Sequence, residues 1–390
     1  MRGGERRFRG LFFIVLLLIP LLLGVPAKAS QQEEDPDIAA LKENLADYDF
    51  SEIEELLAGQ AGEGAVSFSE LVGELVTGDV KTFFRQLLDW VGTALGREIR
   101  TNRSGLWQVL LLATIGALFT NLASVFEKEG ISEMGFFITY LLLVSILLAG
   151  FGQAAEVAAG LVELLLNFMS VLLPAFFLAV AVGGGAMTSL AFYEFTMVVI
   201  AVVQWLLANL FLPLTEVYVI AMVLNHLSKE ELFTKAGELM KTLLNWSLKG
   251  LLGLVTGYSL IQSLILPYVD AVKTGTVTKV IGALPGIGNS FASLASLVLG
   301  TGALIKNGIG TAALIVLIFL SAVPILKLVL IYLMYAAAMA LMEPISDKRI
   351  VGCVQGVADG VRLLLKTAFT GLLLFLITIA ILCACTNLSG

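Results

Sequence analysis

Along most of this chain apolar residues come in long unbroken blocks, interrupted by proline and glycine more often than by charge. The clearest block is residues 173–227. Two Leu-Pro steps, Leu173-Pro174 and Leu212-Pro213, stand 39 residues apart in it, with Gly183-Gly184-Gly185-Ala186-Met187 between them. A straight helix over residues 187–227 would run about 60 Å at 1.5 Å per residue, twice a hydrocarbon core of about 30 Å. That length predicts a break. Pro213 is the expected place, because proline lacks the N–H and its ring collides with the preceding turn. The same punctuation recurs. Pro285 and Pro324 are again 39 residues apart, each 111 residues after its counterpart, with Gly300-Thr301-Gly302 between them. The repeat predicts a duplicated membrane unit with helix breaks at Pro174, Pro213, Pro285 and Pro324, its short segments either crossing or forming re-entrant hairpins.

The chain opens with Arg2, Arg6, Arg7 and Arg9, an apolar run over 11–24, and Ala27-Lys28-Ala29. That is the pattern of a secretory signal peptide over residues 1–29 with an A-x-A cleavage site, and an uncleaved anchor would carry it too. Either way the next segment is expected to be exported. Residues 30–104 hold sixteen acidic against six basic residues. Apolar positions at i, i+3, i+4 spacing, such as Phe83, Phe84, Leu87, Leu88 and Val91, predict a small acidic helical segment there. It reads either as a solvated lead-in or as a docking surface for another exported protein.

Residues 105–156 hold two leading spans, 106–126 and 134–155. The first repeat unit, 157–270, would contain spans over 157–182 and 188–212, a short segment over 213–227, a polar helical stretch over 228–249 and a closing span over 250–269. The second unit, 271–390, repeats the order with 280–299, 309–323, 324–342, a polar loop over 343–362 and a last span over 363–388.

Composition agrees with the pattern. Of the 390 residues 58% are hydrophobic and 14% charged, and the mean hydropathy is +0.93; a soluble domain carries about 25% charged residues. The chain reads as an all-α polytopic membrane protein. Continuous apolar runs argue against a β-barrel, whose strands alternate over about ten residues. The net charge of −7 comes mostly from residues 30–104 and gives no reason to expect a nucleic-acid partner. If the N-terminal segment is exported, both Lys/Arg-bearing stretches, 228–249 and 343–362, fall on the cytosolic side, as the positive-inside rule asks. Arg97, Arg100 and Arg103 then fall outside, against the rule. The two units acquire the same orientation, a parallel repeat.

Nothing in the sequence carries a catalytic signature, a P-loop or a zinc-protease motif, and no cofactor is expected. Cys353, Cys383 and Cys385 fit small-hydrophobe packing better than metal or redox chemistry. His226, the single histidine, fits an interfacial or core position better than a catalytic base. Gly282, Gly286 and Gly288 follow no strand and fit close helix packing. The informative residues are polar groups inside apolar runs: Glu163, Asn167, Glu194, Gln204, Glu216, Lys306, Asn307 and Lys327. Ionisable groups at membrane depth cost several kcal/mol unless paired or hydrated, so each is a candidate for lining a path. Alternatively Glu194, Glu216 and Lys306 sit at interfaces and snorkel. Glu216 and Lys327 stand three residues after Pro213 and Pro324 respectively, and the repeat predicts a buried ion pair between them.

With these residues in view, the chain resembles the stage III sporulation protein AE family of endospore-forming bacteria over nearly its whole length. The likeness rests on the signal peptide, the exported segment, the Leu-Pro stretch leading to Gly184-Gly185-Ala186, and Leu284-Pro285. Its most distinctive part is Leu304-Ile305-Lys306-Asn307 followed by Gly308-Ile309-Gly310. The resemblance implies a mother-cell protein that joins other stage III sporulation proteins and a forespore partner in a complex across the two membranes around the forespore. That complex is thought to act as a channel or feeding apparatus for late forespore development. The AE member would be a multi-pass protein of the outer forespore membrane that forms or gates the membrane path, its N-terminal segment on the intermembrane side. The family supplies no ligand residues. Membrane lipid is an expected partner, and a homo-oligomer fits as well. A secondary transporter acting alone, with broken helices around midplane polar groups, and a non-conducting scaffold are the other readings. Several ionisable groups converging on one cavity would mark the transporter.

Overall fold

The computed structural model describes residues 51, 53–55, 68, 129–180, 186–227, 233–282, 288–344 and 346–387; within the helices, side chains are described for 137, 138, 140–180, 194–227, 233–261, 308–344 and 346–383. The signal peptide, most of the acidic segment, the 106–126 span, Gly183–Gly185 and Pro285 lie outside the described residues. Every described element is helical. In order they are α1 (Glu129–Val180), α2 (Ala186–Leu206), a π-helical turn (Leu207–Phe211), α3 (Leu212–Leu227), α4 (Thr234–Gly282), α5 (Gly288–Met342) and α6 (Lys348–Asn387). Four stretches are long and apolar enough to cross a membrane: Tyr140–Val180, Glu194–Leu227, Gly308–Met342 and Lys348–Cys383.

The helices are longer than the expected spans. Predicted spans 134–155 and 157–182 are one helix of 52 residues, α1, with Pro174 inside it. The predicted breaks at Gly300-Thr301-Gly302 and Pro324 both lie within the 55-residue α5. Most of the predicted 343–362 loop is the start of α6. Energetics explain the continuity. A mid-helix proline costs about 3 kcal/mol, whereas ending the helix would leave backbone groups unsatisfied in hydrocarbon at several kcal/mol each. Hydroxyls near each proline bond back onto the helix: Ser170 Oγ donates to the Asn167 carbonyl at 2.9 Å, Ser321 Oγ to Leu317 at 2.6 Å and Thr215 Oγ1 to Phe211 at 2.8 Å.

Pro213 is absorbed differently. The helix widens to i→i+5 bonding just before it, the Leu212 N–H donating to the Leu207 carbonyl. Proline removes the donor that the Asn209 carbonyl would have used, and the π turn relaxes the crowding around it. The expected break is therefore a bulge. Pro213 follows a π turn whereas Pro324 sits in uninterrupted α-helix, so the two prolines paired by the repeat have different local structures.

In cross-section α1 and α6 form a central pair that run parallel. α5 lies along one side of the pair, touching both; α2 and α3 lie along the other; α4 covers the seam between α3 and α6. The core is the facing surface of these helices, with Leu161, Leu165, Phe168 and Met169 of α1 and Val354, Val357, Leu364 and Phe375 of α6 all buried. Ile53 and Phe68 of the acidic segment are buried in the same cluster.

Two polar devices set the helix ends. Asn225, fully buried, accepts from the Phe233 N–H at 2.6 Å and donates to Thr234 Oγ1 at 2.9 Å, tying the end of α3 to the start of α4. Asp347 caps α6, its Oδ1 accepting from the Arg349 N–H at 2.8 Å.

Candidate functional site

Side-chain contacts fix the register of the bundle. Tyr140 donates to the Val223 carbonyl at 2.6 Å, and Tyr335 to the Leu147 carbonyl at 3.2 Å. Gly360 lies against Val219 and Phe151, Gly371 against Leu207 and Leu165, and Gly310 against Phe176 and Cys383. α2–α3 and α5 therefore run antiparallel to the central pair. At 1.5 Å per residue, this register puts Glu156, Glu216, Lys241, Lys327, Asp359 and Lys366 within roughly 10 Å of one level along the axis. That level lies between about a third and half of the way along the four candidate spans, counted from the end that holds Lys348 and Leu227. An ionisable belt crosses an otherwise apolar bundle.

The belt is best developed where α4 meets α6. Lys241, Asn245 and Lys249 recur at i, i+4 and i+8 on α4, and Asp359, Arg362 and Lys366 at i, i+3 and i+7 on α6; both spacings make one helical face. Lys241 Nζ meets Asp359 Oδ2 at 2.7 Å. Lys366 Nζ donates to Asn245 Oδ1 at 2.6 Å, and Asn245 Nδ2 donates to the Lys241 carbonyl at 2.5 Å. Lys366 lies within electrostatic reach of Arg362, Lys241, Lys249 and Asp359. Four cations thus accompany two carboxylates, Asp359 and, one turn before Lys241 on α4, the exposed Glu238. Among the described residues, no cluster of His, Cys, Asp and Glu is placed to hold a metal ion.

The residues singled out from sequence are distributed around this bundle. Glu163, Glu194 and Glu216 are exposed on its outer surface, and Asn167, Gln204 and Lys327 are half-buried. Glu216 and Lys327 share a level, within about one turn. They are nevertheless on opposite sides of the central pair, because α3 packs on α6, α4 and α1 rather than along α5. The expected ion pair is not formed. Lys306 and Asn307 lie within α5, their side chains outside the described positions. Pro174, Pro213 and Pro324 are helical, as described. His226 packs its imidazole on Gly352, where a Cβ would stand 2.6 Å from Nε2.

The α4–α6 seam was not anticipated. Its cations read from sequence as topology signals in polar stretches. Their helical spacing was visible, but the pairing of two helices 118 residues apart at Lys241 and Asp359 was not. Also missed was Gly352-x-x-x-Gly356-x-x-x-Gly360, which seats α6 directly on His226, Met222 and Val219 of α3.

The model of the stage III sporulation protein AE family matches residues 66–386. A protein of Bacillus subtilis (strain 168) named stage III sporulation protein AE is 20% identical over 394 residues, covering 98% of this chain and 99% of that protein. No solved structure matches.

Proposed function

We propose, because the chain belongs to the stage III sporulation protein AE family, that it is a non-catalytic membrane subunit of the channel complex linking mother cell and forespore. In this reading it sits in the outer forespore membrane with other stage III sporulation proteins and helps form or gate the path that late forespore development requires. The observation that carries the reading is the outward placement of carboxylates on a packed bundle. Glu163 is exposed near the middle of its apolar span and Glu216 about a third of the way into its own, while the interior between α1 and α6 is filled by Leu, Val and Phe. A carboxylate facing hydrocarbon costs several kcal/mol unless paired or hydrated. A polar path on the outer surface, completed by a second copy or another subunit, relieves that cost. A transporter acting alone would gather such groups inside its own bundle.

Cysteine-accessibility mapping in sporulating cells tests this. Single cysteines at positions 156, 163, 209 and 216, in a chain with Cys353, Cys383 and Cys385 replaced, should react with a membrane-impermeant thiol reagent when the complex is assembled. Phe195, Val202 and Leu210, also exposed, should be protected as cysteines. Equal protection at both sets would leave this chain a scaffold, with the path in another subunit.

A further inference from the structure

We infer that the seam between α4 and α6 binds a phosphate-bearing anion, supplied by the headgroup of an anionic phospholipid. The inference does not depend on the channel reading. It begins with charge. Lys241, Lys249 and Arg362 lie within electrostatic reach of Lys366; against these four cations stand Asp359, engaged by Lys241, and Glu238, one turn before Lys241 on α4, an excess of two positive charges. Lys366 has a neutral amide oxygen for its partner. Among the described residues, Lys249 and Arg362 have no ion-pair partner. Concentrated like charge beside an apolar bundle is unfavourable until an anion neutralises it, and Glu238, exposed one turn before Lys241 on the same face of α4, offsets only one of these charges.

Geometry specifies the anion. The cations stand two turns apart on α4 and one turn apart on α6, so the seam offers several donors rather than a point, and multidentate cation clusters match the several oxygens of a phosphate. Asn245 fixes the spacing of the two stripes, accepting from Lys366 of α6 and donating to the α4 backbone. Lys249 is exposed and Arg362 half-buried, so the seam is reachable from outside the bundle.

The surroundings specify the source. Beside the stripe, α4 presents Leu243, Trp246 and Leu254, exposed by 55, 74 and 74%. A headgroup at the seam would lay its acyl chains along this apolar surface, with the indole of Trp246 at the headgroup level where tryptophan concentrates. Basic pockets between membrane helices bind anionic headgroups in this way. A free phosphate would gain nothing from that surface.

The test uses the full-length protein purified in neutral detergent, with thermal stability followed as phosphatidylglycerol, phosphatidylcholine or inorganic phosphate is added. Phosphatidylglycerol should raise the midpoint and phosphatidylcholine should not. Lys249→Gln, at an exposed position, and Arg362→Gln should each weaken the phosphatidylglycerol effect about fivefold in lipid concentration. Lys249→Arg should restore it. Stabilisation by inorganic phosphate, lost in the same two variants, would support the site and assign its anion to the aqueous phase. An equal response to both lipids, or an undiminished response in Lys249→Gln, would overturn the inference; that variant keeps the test valid should Arg362→Gln not fold.

Discussion

Replacing Gly356 by alanine sets two known effects against each other. At a helix interior alanine is favoured over glycine by about 1 kcal/mol. At Gly356, however, the added Cβ would stand 2.8 Å from Met222 Cβ, where carbon atoms in ordinary contact keep about 3.5–4.0 Å. Met222 cannot swing away, since its Cβ is fixed to the α3 backbone. The helices must part by about 1 Å, and overpacking of this kind costs about 1–3 kcal/mol. Gly356→Ala should therefore be neutral to destabilising by about 2 kcal/mol, and Gly356→Leu worse. Gly253 is the internal control. It is exposed on α4 with no atom within 4 Å of an added Cβ, so Gly253→Ala should raise stability by up to about 1 kcal/mol.

The assay is thermal or denaturant unfolding of the purified variants in one detergent. A cycle with Met222→Gly sharpens it, because deleting the opposing Cβ should make Gly356→Ala less harmful, a coupling readable beyond about 0.5 kcal/mol. If Gly356→Ala and Gly253→Ala change stability by the same amount, and the cycle shows no coupling, then α3 and α6 do not approach as closely as 352–360 implies.

Other residues give smaller but separate tests. Asn225→Ala removes two hydrogen bonds from a buried amide joining α3 to α4 and should cost about 1–3 kcal/mol in the same unfolding assay, with Asn225→Asp milder because it keeps the acceptor. With Lys241 37% exposed at its side chain, solvent screening holds the Lys241–Asp359 pair itself to about 1 kcal/mol or less. Asp359→Asn should nonetheless destabilise more than Lys241→Gln, since it leaves four cations with Glu238 as the one nearby carboxylate on α4 and α6, and added salt should rescue it selectively; equal losses would refute the imbalance. Tyr140→Phe removes the side-chain donor to the Val223 carbonyl and should cost about 1 kcal/mol, read against Tyr332→Phe at a half-buried site.

Which features the sequence carried, and which it did not, follows from where the physics resides. Membrane character lies in composition summed over tens of residues, and no single packing contact can reverse it. The helical class and the family resemblance were legible for that reason. Helix ends were not. Proline and glycine rules describe a helix in water, where a broken segment is solvated for free, so Pro324 and Gly300-Thr301-Gly302 suggested stops. In a bundle the alternative to continuity is an unsatisfied backbone in hydrocarbon, and the larger penalty decides. Pro213 lies between these cases, with one π turn reconciling both demands.

The polar groups were legible as types but not as constellations. Glu216 and Lys327 looked like partners because their positions after two prolines match, yet matching positions in sequence do not place residues on facing helices. α1 and α6 stand between them. Lys241 and Asp359 showed no such correspondence and meet at 2.7 Å. What could have suggested the seam was the i, i+4, i+8 spacing of Lys241, Asn245 and Lys249. A topology signal needs only cations near a span end; it does not need them on one face. Cations kept on one face of a helix otherwise rich in leucine imply something opposite that face, and here it is a second cationic stripe with a single carboxylate. Two helices that bring four cations together gain stability from an anion between them, and the phosphatidylglycerol titration reads whether a lipid headgroup is that anion.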